Sequence, residues 1–171
     1  MGVGIMLVVI AEKEEMRLVE EIGLNGCPIL ITGVGAINVI NALKDVPRDT
    51  EIFNVGYCGS QDLEVGTYVN VIKANTLHNY ARFEEKPQFL STPQIPKLVE
   101  KNAICYTSTD FVTEKFDTLS SYGTTSCVFD MELAFICALG FKHIASIKKV
   151  SDSLSLDDYR KYGELHKYDR T

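Results

Sequence analysis

The sequence lacks any apolar run of the roughly 18 residues that a membrane-spanning helix requires. Its first apolar stretch, 3–10, has neither a basic segment before it nor a small-residue cleavage site, so it predicts a buried strand and not a signal peptide. Positive charge is also scarce, because 17 Lys and Arg stand against 23 Asp and Glu, for a net charge of -6. This balance argues against a nucleic acid or an anionic membrane as the main partner.

The patterns of disulfides and metal sites are missing as well. The five cysteines are odd in number, form no Cys-x-x-Cys pair and lie mostly among apolar residues. This is typical of buried, reduced thiols in a cytoplasmic protein. The three histidines are scattered, without the spacing of metal ligands. We therefore expect neither a metal nor a cofactor.

What the sequence does contain is a regular alternation of apolar runs and segments with helical spacing. The predicted strands are 3–10, 28–32, 52–55, 67–74, 104–107, 126–129 and 143–150, and the predicted helices are 11–22, 36–43, 97–102, 131–139 and 156–165. The alternation predicts an α/β fold, with an open, twisted, mixed and mostly parallel sheet flanked by helices in an αβα arrangement. The length of 171 residues suits one domain over 1–171.

Acidic residues follow three of the predicted strands. Ligands of open α/β sheets bind beyond the carboxyl ends of the strands, so these side chains could face one crevice although they are far apart in the chain. The residues in question are Glu15, Asp130, Glu132 and Asp152.

Each of these carboxylates has a plainer explanation. Glu15 could be a solvated side chain favoured by the helix dipole, and Asp130 could simply cap the helix that follows it. Asp152 could equally be a cap or a catalytic acid. Glu132 is harder to explain, because it lies in the otherwise almost entirely apolar run 128–135, where an unpaired carboxylate is costly.

Two glycine pairs follow predicted strands. Gly33 and Gly35 are typical of the start of a dinucleotide-binding fingerprint, but the third glycine is missing and no Lys-Ser or Lys-Thr follows to make a P-loop. Segment 56–59 predicts a tight turn at which the backbone can approach a ligand closely. A dinucleotide-binding oxidoreductase is therefore the weakest alternative.

Taken in order, these segments resemble the nucleoside phosphorylase superfamily, and specifically its methylthioadenosine/S-adenosylhomocysteine nucleosidase branch. The matching segments are 11–15, 33–35 with Asn38, 54–59, 65–66, 108–112, 130–132 and 150–152. The resemblance implies a phosphorylase/hydrolase-like fold, a homodimer and cleavage of the N-glycosidic bond of a purine nucleoside.

The resemblance also implies roles for individual residues. Glu15 looks like the carboxylate that activates water, and Asp152 is similar to the general acid that protonates the purine. Bond cleavage leaves positive charge on the sugar and negative charge on the purine. Carboxylates near the sugar stabilise the first, and an acid at the base neutralises the second. The other implied site residues are Met131, Glu132 and Tyr57 at the ribose, Phe111, Val112, Gly59 and Cys58 at the base, and Leu156 in the 5′ pocket.

Two related functions stay open beside the hydrolase. Phosphorylases of this superfamily carry phosphate-binding arginines, but here the first of the two segments is rich in glutamate and the second position is Asn54, so water is the favoured nucleophile. The chain is shorter than is usual in that family, which favours a non-catalytic nucleoside-binding relative. Retention of all three carboxylates, Glu15, Glu132 and Asp152, weighs against that possibility.

Overall fold

The structure, a computed structural model, describes residues 6–77, 88–89, 98–99, 101–112 and 125–155. Its strands are β1 (Met6–Ile10), β2 (Ile29–Ile31), β3 (Glu51–Gly59), β4 (Tyr68–Thr76), β5 (Gln88–Phe89), β6 (Lys101–Thr107), β7 (Ser126–Asp130) and β8 (His143–Asp152). Its helices are α1 (Met16–Glu21), α2 (Ala36–Leu43) and α3 (Leu133–Ala138), and the short 3-10 helix Lys13–Glu15 precedes α1. No helix within the described ranges is long and apolar enough to cross a membrane.

Strand pairing closes part of the sheet on itself. β1 lies between β2 and β3, and both of those pairings are parallel. From β3 the pairing continues through β8, β4, β6 and β7, and β7 returns to β3 where Phe129 pairs with Gly59. These five strands form a barrel-like circuit, with β1 and β2 as an extension on one side and β5 attached to β4.

The predicted mixed, mostly parallel sheet is confirmed, since five of the eight pairings among the described strands are parallel. The prediction of an open sheet is wrong, and the reason lies in β8. This strand of ten residues pairs with both β3 and β4, and an extra residue, Ser151, interrupts its register with β3 between Cys58 and Gly59. Such a bulge bends a strand and increases its twist, which helps a sheet to curl closed.

Helices lie on both faces of the sheet. Successive residues of β1 point to opposite faces, so Val8 and Ile10 pack in one apolar cluster and Val9 packs in another. The cluster with Val8 contains the buried side of α1, whereas the cluster with Val9 contains the buried sides of α2 and α3. Helices on both faces explain why β1 is apolar at successive positions.

Several element boundaries differ from the prediction. Segment 56–59, predicted as a turn, is the last part of β3, and the last predicted strand extends to Asp152. Residues 101–102 were predicted as the end of a helix, but they begin β6. A short run of mixed polarity does not distinguish the 3.6-residue period of a helix from the two-residue period of a strand. α2 has the predicted bounds. The predicted helix 156–165 lies outside the described residues.

The turn before α2 generates a test of local backbone strain. Gly33 has φ of 89°, and a Cβ atom at that position would lie 2.9 Å from Cγ of Asn38. We expect Gly33→Ala to lower the free energy of unfolding by about 1–2 kcal/mol, measured by urea denaturation. Gly26→Ala is the matched control, because a Cβ atom there meets nothing within 4 Å. Equal stability of the two variants would contradict the assigned turn conformation.

Candidate active site

A cavity of about 220 Å³ lies beyond the carboxyl ends of β1, β3, β7 and β8. The structure brings nine of the ten sequence-predicted site residues to its wall, and the tenth, Leu156, lies outside the described residues. The nine are Glu15, Tyr57, Cys58, Gly59, Phe111, Val112, Met131, Glu132 and Asp152. These nine residues come from five separate parts of the sequence and meet at one place.

Glu15 ends the 3-10 helix and points its carboxylate back under the cavity. Its Oε1 accepts hydrogen bonds from the backbone N–H groups of Ala11 at 2.8 Å and Glu12 at 2.9 Å, and its Oε2 accepts one from Tyr57 at 2.9 Å. The residue is only 5% exposed, so the alternative of a solvated first-turn carboxylate is wrong. Burial raises the pKa of Glu15, although Lys148 and these hydrogen bonds oppose the rise.

Asp152 ends β8 and is 1% exposed. Its Oδ2 accepts a hydrogen bond from the hydroxyl of Ser151, and its Oδ1 accepts one from the backbone N–H of Leu154, both at 2.9 Å. The second bond spans two residues, as in an Asx turn, and accompanies a φ of 66° at Leu154. A left-handed conformation costs about 1–2 kcal/mol in a residue other than glycine, so Asp152 helps to hold a strained wall of the cavity.

Two glycines of β3 let these carboxylates lie directly against the strand. A Cβ atom on Gly56 would lie 2.5 Å from Oε2 of Glu15, and one on Gly59 would lie 2.8 Å from Oδ1 of Asp152. The glycine-rich segment therefore allows a close approach, as predicted. However, the groups that approach it are the side chains of Glu15 and Asp152, and the segment lies within a strand and not in a turn. An extended strand advances about 3.3 Å per residue, so the two contact points are ~10 Å apart along β3.

Glu132 connects the end of β7 to the glycine turn before α2. Its Oε2 accepts a hydrogen bond from the backbone N–H of Gly35 at 3.0 Å. Burial, followed by repulsion from the carboxylate of Asp130, raises the pKa of Glu132 to about 8 from its ordinary 4.5. Glu132 therefore retains its proton through much of the neutral range.

Asp130 is held by a buried ion pair that the sequence reading missed. Oδ2 of Asp130 lies 3.0 Å from Nζ of Lys148 and also accepts the backbone N–H of Leu133 at 2.8 Å. Oδ1 accepts the hydroxyl of Thr107 at 2.5 Å. The expected helix-capping bond at the start of α3 is thus present, with an ion pair added. Burial alone would raise the pKa of Asp130, but Lys148 and these hydrogen bonds hold it below its ordinary value.

Lys148 and Lys149 are adjacent in the sequence, yet their surroundings differ. Lys149 is paired with Glu21 at 3.2 Å on the outside, whereas Lys148 is 1% exposed at the centre of the fold. Burial alone would lower the pKa of Lys148, but the surrounding carboxylates, Asp130 foremost, raise it. A signal was present in the sequence, since Lys148 follows the apolar Ile147 inside the predicted strand 143–150.

The rest of the wall is mostly apolar. Cys58 contributes a neutral surface, because burial raises the pKa of its thiol and so removes it as a nucleophile. All five cysteines of the chain are free thiols, as expected. Wall residues that the sequence reading did not assign to the site are Ala11, Glu12, Val34, Phe129, Ser151 and Leu154.

The cavity is acidic. Five carboxylate side chains contribute to its wall, those of Glu12, Glu15, Asp130, Glu132 and Asp152. The described part of the wall includes no lysine or arginine, and Lys148 reaches Asp130 from behind it. Such a surface suits a neutral ligand or one that develops positive charge.

No protein-family model and no curated protein sequence matches the chain. Solved structures do match it. A variant of MTAN from Chlamydia trachomatis superposes with a TM-score of 0.68 and 16% identity, over 95% of this chain and 90% of that one. The 5′-methylthioadenosine/S-adenosylhomocysteine nucleosidase (MTAN) of Helicobacter pylori gives 0.72 and 15%, over 97% and 94%. A futalosine hydrolase mutant from Helicobacter pylori gives 0.71 and 15%, over 95% and 91%.

These matches establish the fold. The expected structural likeness to the nucleosidases is confirmed, with a mixed sheet and helices arranged as in those enzymes. The superposition covers at least 90% of each of the three neighbours.

The buried ion pair yields a prediction about stability. We expect Lys148→Met to lower the free energy of unfolding by about 3–5 kcal/mol, because it leaves Asp130 charged, buried and unpaired. Lys149→Met is the matched control and should cost no more than about 1 kcal/mol, since its pair is at the surface. Chemical denaturation measures both, and adding Asp130→Asn to Lys148→Met should recover part of the loss. Equal losses in the two lysine variants would contradict the pairing.

The raised pKa of Glu132 yields a prediction about pH. A group whose folded pKa is about 8 and whose unfolded value is 4.5 contributes stability below pH 4.5, and loses it as pH rises toward 8. Glu132→Gln removes this dependence on pH. The free energy of unfolding of the variant, relative to that of the wild type, should therefore rise by about 2–4 kcal/mol between about pH 5 and about pH 8.5. Urea denaturation at both pH values tests this, with the exposed Glu51→Gln as control. A difference that is independent of pH would contradict a protonated Glu132.

Proposed function

We propose that this protein hydrolyses the N-glycosidic bond of a purine nucleoside of the methylthioadenosine/S-adenosylhomocysteine type. The observation that carries the proposal is the placement of two buried carboxylates, Glu15 and Asp152, at separate points of one cavity. The fold supports it, because the neighbouring structures are nucleosidases and a futalosine hydrolase. The Chlamydia trachomatis MTAN variant has also been solved bound to MTA.

Glu15 is assigned to the water. Its buried carboxylate is fixed by three backbone N–H groups, and its raised pKa makes it a stronger base than a solvated glutamate. A base must have its pKa near the working pH while still being able to ionise, and Lys148 favours the ionised form. Glu15 would therefore orient and deprotonate the attacking water beneath the sugar.

Asp152 is assigned to the leaving group. A purine leaves as an anion unless it is protonated, so an acid close to the base lowers the barrier. The backbone N–H of Leu154 and the hydroxyl of Ser151 fix the orientation of the Asp152 carboxyl group. We place the purine at this end of the cavity, with Phe111, Val112, Cys58 and Gly59 around the base.

The sugar would lie between the two acids. Met131 and Glu132 follow β7 and contribute to the same wall, and Tyr57 adjoins Glu15 through its backbone N–H. A protonated Glu132 can donate a hydrogen bond to a ribose hydroxyl as well as accept one. Met131 and Tyr57 would pack against the ring.

A phosphorylase is the less favoured reading. Asn54 stands where phosphorylases of the superfamily have a phosphate-binding arginine. It is buried, its Nδ2 donates a hydrogen bond to the carbonyl of Val9 at 3.3 Å, and its Oδ1 accepts one from the hydroxyl of Ser146 at 2.9 Å. Its side chain therefore links β1, β3 and β8 and is occupied within the fold. Because the described part of the wall has no lysine or arginine, a phosphate anion would find no positively charged side chain there.

The homodimer and the cytoplasmic location remain predictions. Among the described residues, the large exposed apolar side chains concentrate on β2, α2 and the turn between them, which is the face a second copy would cover. Four of the five such residues lie there, namely Ile31, Val34, Ile37 and Ile40, and the fifth, Val65, lies elsewhere.

The proposed function is tested by chromatography of the base released from methylthioadenosine, adenosine and inosine, with and without phosphate. We expect release that needs no phosphate and that falls about 10²–10⁴-fold in Glu15→Gln and in Asp152→Asn. Glu14→Gln is the control, because Glu14 adjoins Glu15 but is not part of the described cavity wall. Release that requires phosphate would establish a phosphorylase, and no release by the folded wild type would indicate a non-catalytic relative.

A further inference from the structure

Glu132 has one bonded and one open oxygen atom. Its Oε2 accepts the hydrogen bond from the backbone N–H of Gly35 at 3.0 Å, whereas its Oε1 has no hydrogen-bond partner among the described residues. Oε1 is not enclosed, because Oδ1 of Asn70 is the one enclosed side-chain oxygen or nitrogen without a partner in the described part of the chain. Glu132 belongs to the cavity wall and is 9% exposed, so Oε1 is the atom that it presents to a ligand.

Glu132 also has no counter-ion among the described residues. The charged groups that act most strongly on it are Asp130 of β7, Lys148 of β8 and Glu15 of the 3-10 helix. The ammonium group of this cluster is bound to Asp130, with Nζ 3.0 Å from Oδ2, and no described ion pair joins it to Glu132. A buried carboxyl group that lies among carboxylates without a cation of its own is more stable with its proton than without it. The raised pKa of Glu132 agrees with this geometry.

The turn and the helix that flank Glu132 add no further charge. The turn 32–35 contains no titratable side chain, and Cys137 is the one titratable residue of α3. Burial raises the pKa of that thiol to about 12, so it is neutral wherever Glu132 titrates. Among the neighbouring carboxyl groups, Glu15 shares the raised pKa, so an experiment has to separate the titration of these two residues.

The hydrogen bond from Gly35 decides which oxygen of Glu132 carries the proton. The N–H donor requires a lone pair on Oε2, and the carbonyl oxygen of a carboxylic acid supplies one without turning a hydroxyl hydrogen aside. The proton is therefore on Oε1, and Glu132 offers an O–H group to the cavity. An ionised Glu132 would offer only acceptor lone pairs at the same place.

We propose that Glu132 binds the sugar as a hydrogen-bond donor, through the O–H group on Oε1, so that the affinity for the nucleoside falls when this proton is lost. The inference rests on the proposed function, which places the ribose beside Glu132. A ribose hydroxyl oxygen accepts the bond. The bound sugar covers Oε1 and removes its remaining contact with water, which disfavours the charged form of Glu132 further. Binding and protonation are thus linked.

Calorimetric binding of methylthioadenosine to the Glu15→Gln protein between pH 6 and pH 9 tests the proposal. Glu15 no longer titrates in that protein, and the proposed loss of hydrolysis keeps the nucleoside intact during the measurement. The nucleoside itself stays neutral over this range. We expect Kd to rise about tenfold from pH 6 to pH 9, because the fraction of protein that carries the donor falls as pH passes the pKa of about 8.

Two further variants in the same Glu15→Gln protein serve as comparison and control. Glu132→Gln keeps an oxygen for the N–H of Gly35 and places an N–H donor where Oε1 was, so it mimics the protonated form and does not titrate. Its Kd should stay within about twofold of the pH 6 value throughout, as expected when the competent fraction is constant. Glu51→Gln removes an exposed carboxyl group at the opposite end of β3 and should leave the rise in Kd unchanged.

The opposite outcomes are distinct. A Kd that falls with rising pH, together with weaker binding by Glu132→Gln, would show that the ionised form binds the sugar and would overturn the proposal. A rise in Kd that persists in Glu132→Gln would overturn it as well, because another group would then be responsible. The expected pH course with no base release by the wild type supports the donor and overturns the hydrolysis. If neither methylthioadenosine nor adenosine binds at any pH, both are overturned.

Discussion

The buried pair of Lys148 and Asp130 is the interaction on which the site depends. It joins β8 to β7 inside the closed circuit of strands, and the same Asp130 carboxylate binds Thr107 of β6 and the first N–H of α3. Burying two ions costs several kcal/mol each before their attraction is counted, and an apolar pair often gives equal or greater stability. The pair is therefore better explained by the geometry that it imposes than by the stability that it adds. Glu132, two residues after Asp130, is placed by that geometry.

The same pair sets the charge of its neighbours. Three carboxylates, those of Asp130, Glu15 and Glu132, share the field of one ammonium group. Asp130 is in direct contact with it, so its pKa falls, while burial keeps the pKa values of Glu15 and Glu132 raised. Groups of one chemical type are thus separated into an ionised anchor, Asp130, and two carboxyls, Glu15 and Glu132, whose pKa values are raised. This separation is what acid–base chemistry requires of a site.

Sequence reasoning recovered the elements of this fold better than their connections. The helical spacing of α2 and the apolar run of β1 define those elements, because periodicity and burial are local properties. Closure of the sheet was not predicted, because the composition of a strand does not show which other strands pair with it. β8 pairs with β3 along one edge and with β4 along the other. Most of the candidate site was found through the ordered resemblance, but Lys148 was not, because its partner Asp130 is 18 residues away in sequence and only the fold brings them together. For Gly56 and Gly59 the sequence predicts a turn at which the backbone approaches a ligand, whereas in the structure both lie within β3 and leave room for the side chains of Glu15 and Asp152.

An acidic cavity is a disadvantage for holding phosphate and an advantage for the proposed hydrolysis. A neutral nucleoside in its ground state gains little from the carboxylates around it, whereas a sugar that becomes cation-like as the glycosidic bond breaks is stabilised by them. Interactions that strengthen only in the transition state accelerate the reaction, and those that bind the ground state equally well do not. The electrons of the breaking bond move to the purine, so negative charge would develop at the end that we propose for the base, where Ser151 and Leu154 hold Asp152. A wall of carboxylates with Asp152 as the proposed acid at one end therefore matches the charge separation of the proposed reaction more closely than the charge of the substrate.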